Sequence, residues 1–280
     1  MFSDCQSLTD VDLDWDTESW AVTTIQQMFY NCYGLKKLKL NWNTENWVVT
    51  NIAQMFSGCW GLISVDFSSW DTSGWRVTTM SQMFYQNRCL KELDLCWDTD
   101  DWVVTDMSGT FNGCTSLAAL DTSSWNTSGW AVTTLDSCFQ QLKTLKALDL
   151  TDWDTSNWPL TNMSGMFRYS TLFEIDMSTW STTKFNITNM RYCFDSCSSL
   201  SKVLFPNIVY NGTSTNIQTG YPTNSTIINW AGYQTSQPQD YTNAFMLSTA
   251  SLVSILQRLD TITSGTITLG AVNKLKLSAE

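Results

Sequence analysis

Leu93-Asp94-Leu95-Cys96-Trp97-Asp98-Thr99-Asp100-Asp101-Trp102-Val103-Val104-Thr105-Asp106-Met107 is one copy of a pattern that recurs through most of the chain. Its two tryptophans, five residues apart, mark each copy. The first recurs at Trp15, Trp42, Trp70, Trp97, Trp125, Trp153 and Trp180. The second recurs at Trp20, Trp47, Trp75, Trp102, Trp130 and Trp158, with Phe185 in the last copy. Copies follow one another at 27 or 28 residues, a fixed period that signifies a solenoid of stacked units. The extra residue falls mostly before the first Trp, where Asp14-Trp15 becomes Ser68-Ser69-Trp70. A turn absorbs such an insertion, whereas a packed helix would rotate its apolar face.

Working outward from the tryptophans, Leu35-Lys36-Lys37-Leu38-Lys39-Leu40 ends in apolar and polar alternation, which predicts a short strand with one face inward. On the other side, Val77, Met80, Met83 or Phe84, and Leu90 lie mostly three or four apart, with Thr78 or Thr79 as a hydroxyl N-cap. That spacing predicts a short helix. Between them Trp-Asp-Thr-Ser-Gly-Trp reads as a polar turn. One unit cannot bury its own apolar face, but stacking seven of them places equivalent strands side by side in one parallel sheet.

Composition restricts the chemistry. Fifteen Lys and Arg against 26 Asp and Glu give a net charge of −11, which opposes nucleic acid and anionic membranes as partners. The chain has no His, which removes the commonest general base and metal ligand. No run of about 18 apolar residues predicts membrane insertion, and the first residues lack the basic and apolar regions of a secretion signal. No cofactor or metal site is expected, and no catalytic residue is assigned.

Leu145-Lys146-Ala147-Leu148-Asp149-Leu150-Thr151-Asp152-Trp153-Asp154-Thr155-Ser156, followed by Thr161-Asn162-Met163-Ser164-Gly165-Met166-Phe167, resembles the BspA-like leucine-rich repeats of bacterial and protozoan surface proteins. The resemblance covers residues 1–205 and implies an α/β fold, a leucine-rich-repeat-type solenoid with one parallel sheet and short helices on the opposite side. It also implies adhesion or recognition, with no catalytic residues. The second Trp column departs from the family pattern and enlarges the turn on one edge. Residues 206–280 lose the repeat. They are read as an irregular loop over 206–245 and then a cap, with helical spacing over 251–259 and strand alternation over 263–269. The chain starts in mid-unit, so a partner subunit or a preceding segment is expected to cover the N-terminal edge.

Two rows are candidate ligand-binding residues. Trp20, Trp47, Trp75, Trp102, Trp130 and Trp158 either form an exposed aromatic stripe for sugars or a protein partner, or pack within their turns. Asp66, Asp94, Asp121 and Asp149, with Asp12 and Asp176 in the same column, either gather a cation or basic ligand or form a solvated face. Nine cysteines, with Cys5, Cys32, Cys59, Cys114 and Cys197 in one column, read as buried compact apolar side chains rather than disulfides or metal ligands. The resulting expectation is a non-enzymatic module at a cell or virion surface that binds a surface protein or glycan. The other reading is a bacteriophage tail or fibre component acting as receptor binder or spacer.

Overall fold

The computed structural model describes residues 1–200 apart from Asp10 and Asp12, and the strands Lys202–Leu204, Thr226–Ile228, Gln239–Tyr241 and Ile267–Leu269. The chain winds into parallel coils. Strands β1 (Lys37–Lys39) and β2 (Ser64–Asp66) pair in register, Leu38 against Val65. A second sheet joins β3 (Ala147–Asp149), β4 (Glu174–Asp176), β5 (Lys202–Leu204) and β6 (Thr226–Ile228), again all parallel. In each of β1 to β5 the middle residue, Leu38, Val65, Leu148, Ile175 or Val203, is buried. The alternation visible in the sequence thus marks the inward position. β6 carries the stack past residue 205, into the stretch expected to be irregular. The expected C-terminal helix at 251–259 lies outside the described residues. Of the expected strand at 263–269, Ile267–Leu269 (β8) is described, paired in parallel with Gln239–Tyr241 (β7).

The expected helices do not form. Among the described residues there is no helix, and the α/β assignment, a leucine-rich-repeat-type solenoid with helices opposite the sheet, is corrected to a stack of coils with short parallel strands only. In the segment after the second Trp, isolated bridges run coil to coil from Thr24 to Asn51, Thr79, Asp106, Thr134, Asn162 and Asn189. Beyond them the backbone alternates two kinds of bond. Gln27, Phe29 and Asn31 donate to Ala53, Met55 and Ser57 of the next coil, at 3.1, 2.9 and 2.8 Å. Met28, Tyr30 and Cys32 donate three residues back, to Ile25, Gln27 and Phe29. Gln27 and Asn31 have φ of 54° and 57°, and their counterparts through the stack are also left-handed. A positive φ every fourth residue breaks the right-handed i→i−4 ladder. The segment is therefore a chain of consecutive turns whose other amides knit neighbouring coils together.

Aromatic ladders fill the core. Phe2, Phe29, Phe56, Phe84, Phe111, Phe139, Phe167 and Phe194 stack at centroid spacings of 5.3 to 6.0 Å. The second Trp column stacks from Trp20 to Trp158 at 6.3 to 6.4 Å with interplanar angles of 6 to 12°. A buried threonine lies between the two tryptophans of each coil and donates its hydroxyl to a carbonyl of the following coil, as in Thr44 to Asp71, Thr72 to Asp98 and Thr99 to Asn126. This row ties the Trp-bearing turns together without charge.

The expected single sheet of seven strands is interrupted between β2 and β3. Backbone bonds persist there, Lys91 N–H to Ile63 and Ala118 N–H to Lys91, but no strand is formed. Phe67 lies beside the break. It occupies the position of Leu40 and Leu95 in adjacent coils and meets Trp70 and Trp97 edge-on, at 4.8 and 5.3 Å. In the first Trp column Nε1 of Trp42, Trp70 and Trp125 donates to Leu13, Leu40 and Leu95. Trp97 Nε1, beside Phe67, is buried without a partner.

Candidate functional site

The second Trp column is not a surface stripe. Trp47, Trp75, Trp102, Trp130 and Trp158 are all at most 1% exposed, and Trp20 is partly buried against the core. Each ring also tilts against its first-column neighbour, as Trp97 does on Trp102 at 5.6 Å. The enlarged turns fold inward because stacked indoles bury more apolar area than any other side chain, and the threonine row supplies the hydrogen bonds their backbone needs. As contact residues for a ligand they are withdrawn.

The Asp row stays outside, where each carboxylate caps a turn. Asp66, Asp94, Asp121, Asp149 and Asp176 each accept the N–H two residues on, from Ser68, Cys96, Ser123, Thr151 and Ser178, at 2.9 to 3.2 Å. The hydroxyl and N–H of Ser68 hold the Asp66 carboxyl below the usual range, those of Thr151 do the same to Asp149, and the N–H and hydroxyl of Ser123 to Asp121. Among the described residues no group of three or more acids or cysteines is placed to hold a metal. Because these folded-state values are depressed, the turns' contribution to stability is present above the unfolded carboxylate value and lost as pH falls through the folded one. The thermal midpoint is expected to stay level from neutral pH to about 5 and to fall below about 4. A midpoint unchanged at that acidity in a calorimetric series would remove the capping role.

The cysteines divide. Cys32, Cys59, Cys114, Cys138, Cys193 and Cys197 are buried, and burial pushes the Cys114 and Cys197 thiols up to about 12. Cys32, Cys59, Cys114 and Cys197 donate to a phenylalanine carbonyl of the preceding coil, as Cys59 does to Phe29. Cys5, Cys89 and Cys96 are exposed, so the buried column does not include Cys5.

A different part of the surface brings binding groups together. Trp60 is the one exposed tryptophan among the described residues, at 42%. Its ring stacks on Tyr33 at 4.4 Å, and Arg88 Cζ lies 4.8 Å from the same ring. Tyr33, Trp60 and Arg88 hold equivalent positions on three successive coils. Each follows a left-handed residue, Asn31, Gly58 and Gln86, and donates its N–H back to that residue's carbonyl at 2.9 to 3.0 Å. This tight reversal turns the three side chains outward. Gly58 suits this position, since its φ is +78°, and an added Cβ would have to push Asn31 Oδ1, 2.4 Å away, aside. The groove beside Trp60 is lined by Tyr30, Asn31, Ser57, Tyr85, Gln86 and Gln141. Rings, amides, hydroxyls and a guanidinium offer stacking and hydrogen bonding, with no nucleophile and base in contact. Trp60 has a legible sequence signal, since it belongs to neither Trp column, but a search for recurrence passes over it.

A family model described as Mycoplasma protein of unknown function, DUF285, matches residues 1–119 and 93–207. The chain belongs to this family. The DUF285 matches span the coils, with Tyr33, Trp60 and Arg88 in the first and β3 to β5 in the second. A search of curated proteins found no match. No helix among the described residues is long and apolar enough to cross a membrane.

Proposed function

We propose that this DUF285 chain is a non-enzymatic recognition module that engages a protein or glycan on a cell surface through the edge of the coils that carries Trp60. The observation that supports the reading is Trp60, exposed where the other described tryptophans are drawn into the core, and held between Tyr33 on the coil before and Arg88 on the coil after. An aromatic kept rigid before contact loses little entropy on binding, which is how Trp and Arg come to dominate interface energies. The BspA-like resemblance points the same way, toward adhesion, and display at a bacterial or virion surface goes with it.

Trp60→Ala tests the reading. Trp60 is outside the ladders, so unfolding is expected to stay within about 0.5 kcal/mol of the parent. Signals of the intact chain on a glycan and surface-protein array are expected to weaken by about tenfold or more. An array pattern that W60A leaves intact would place recognition elsewhere or nowhere.

A further inference from the structure

Charge is unevenly spread over this chain. The turn edge comprises residues 26–36 and the corresponding stretches of the following coils up to residue 200. It carries Lys36, Arg88, Lys91, Lys143, Lys146, Arg168 and Arg191 against two acids, Asp136 and Asp195, with a third, Asp4, on the preceding coil accepting from Asn31 Nδ2 at 3.0 Å, although acids outnumber cations 26 to 15 in the whole chain. Asp195 is already paired with Arg168 at 2.8 Å. Burial raises the Asp136 carboxyl above its ordinary value, and it counts as an acid of this edge. The edge is thus basic on an acidic protein.

Its cations are also ordered. All six cation–aromatic pairs found among the described residues lie here. Besides Arg88 at Trp60, Arg168 Cζ lies 4.4 Å from Tyr169 and 4.5 Å from Tyr192, and Arg191 Cζ lies 4.5 Å from Tyr192. Arg168 and Arg191 also donate to the hydroxyls of Tyr169 and Tyr192. A guanidinium laid on a ring is weakly hydrated and already positioned, so it gives up little on meeting an anion. Arg88 and Arg191 lie four coils apart, roughly 19 Å at the spacing of parallel strands. Between them Gln86 and Gln141 flank Gly113, whose added Cβ would fall 2.4 Å from Gln86 Nε2. The floor is therefore polar and uncharged.

We infer that the turn edge binds an acidic polysaccharide laid across the coils, its hydroxyl groups on the groove amides beside the exposed rim of Trp60 and its carboxylate or sulfate groups on Arg88, Lys143 and Arg191. The inference rests on the recognition reading and names its ligand class. Amides at Gln86 and Gln141 suit the hydroxyl groups of a saccharide, which an acidic polypeptide such as poly-glutamate lacks. The Asp66, Asp94, Asp121 and Asp149 row on the strand face repels a wide, densely charged duplex but not a narrow single chain.

Titration of the intact chain with heparin and hyaluronan oligosaccharides of increasing length tests this. Neutral dextran, poly-glutamate and oligodeoxythymidine serve as comparisons. Affinity for at least one acidic saccharide is expected to rise with length until both arginine stations are spanned, and to fall with salt. The exposed-charge variant Arg88→Gln/Lys143→Gln/Arg191→Gln is expected to weaken binding by about tenfold or more, with a shallower salt slope. Arg76→Gln/Lys184→Gln, off this edge, should leave binding unchanged. Equal binding of dextran, of poly-glutamate or of oligodeoxythymidine overturns the inference, as does a triple variant that binds like the parent. If W60A abolishes array binding while no acidic saccharide binds, the recognition reading stands and the ligand class fails. If the folded chain binds neither array nor saccharide, both fail.

Discussion

Trp102→Ala is expected to destabilise the array by about 3–5 kcal/mol and to split its single unfolding transition into two. Trp102 is fully buried between Trp75 and Trp130, at 6.3 and 6.4 Å, and rests on Trp97 at 5.6 Å. Its Nε1 has no partner, so no hydrogen bond is lost with the ring. The whole cost is packing: a cavity the neighbouring turns cannot close, and two stacked pairs worth about 0.5–1.5 kcal/mol each beyond their area. Because each coil contacts only its neighbours, a gap in the middle uncouples the two halves. Urea unfolding followed by circular dichroism measures this. A variant that unfolds like the parent would mean that the turn ring lies in solvent after all. The contrast with Trp60→Ala, in which a tryptophan of the same size is removed with little loss, isolates burial as the cause.

Leu148→Asp is the second large effect, with an expected loss of several kcal/mol and melting that begins in the C-terminal coils. Leu148 is the inward residue of β3, 2% exposed, in register with Ile175 of β4. A carboxylate there has no cation or donor to meet, so it either desolvates or takes up a proton. Ala147→Ser, one residue earlier on the outward side, is expected to stay within about 0.5 kcal/mol. Hydrogen exchange of the 147–204 amides distinguishes the two. Equal losses at both positions would show that the strand's inward register is wrong, since a shift of one residue exchanges the two faces.

The spacing of Val77, Met80, Phe84 and Leu90 fits two backbone forms equally. Core-facing residues recur three or four apart in a helix. Consecutive turns closed every three residues place Ile25, Phe29, Cys32 and Leu35 inward at the same interval. A second signal was available. The left-handed positions occupied by Gln27, Gln54 and Gln82 hold Gly109 and Gly165 in later copies, and Asn31 and Gln86 alternate with Gly58 and Gly113. Two columns four residues apart, each admitting glycine, are unfavourable inside a helix and natural where φ is positive. In the other copies Gln, Ser and Tyr accept that backbone because the bonds to the next coil hold it there, which no local propensity reports.

By itself the sequence determined the period, the inward strand positions and the division of Trp into two columns. These follow from repetition and alternation along the chain, which local order preserves. Only the tertiary structure decided where the backbone bonds go, between coils rather than within a helix, and which tryptophans meet solvent. Both depend on what the neighbouring coil presents. The threonine rungs and stacked rings of that neighbour draw the second Trp column inside, and Tyr33 and Arg88, one coil on either side, hold Trp60 out.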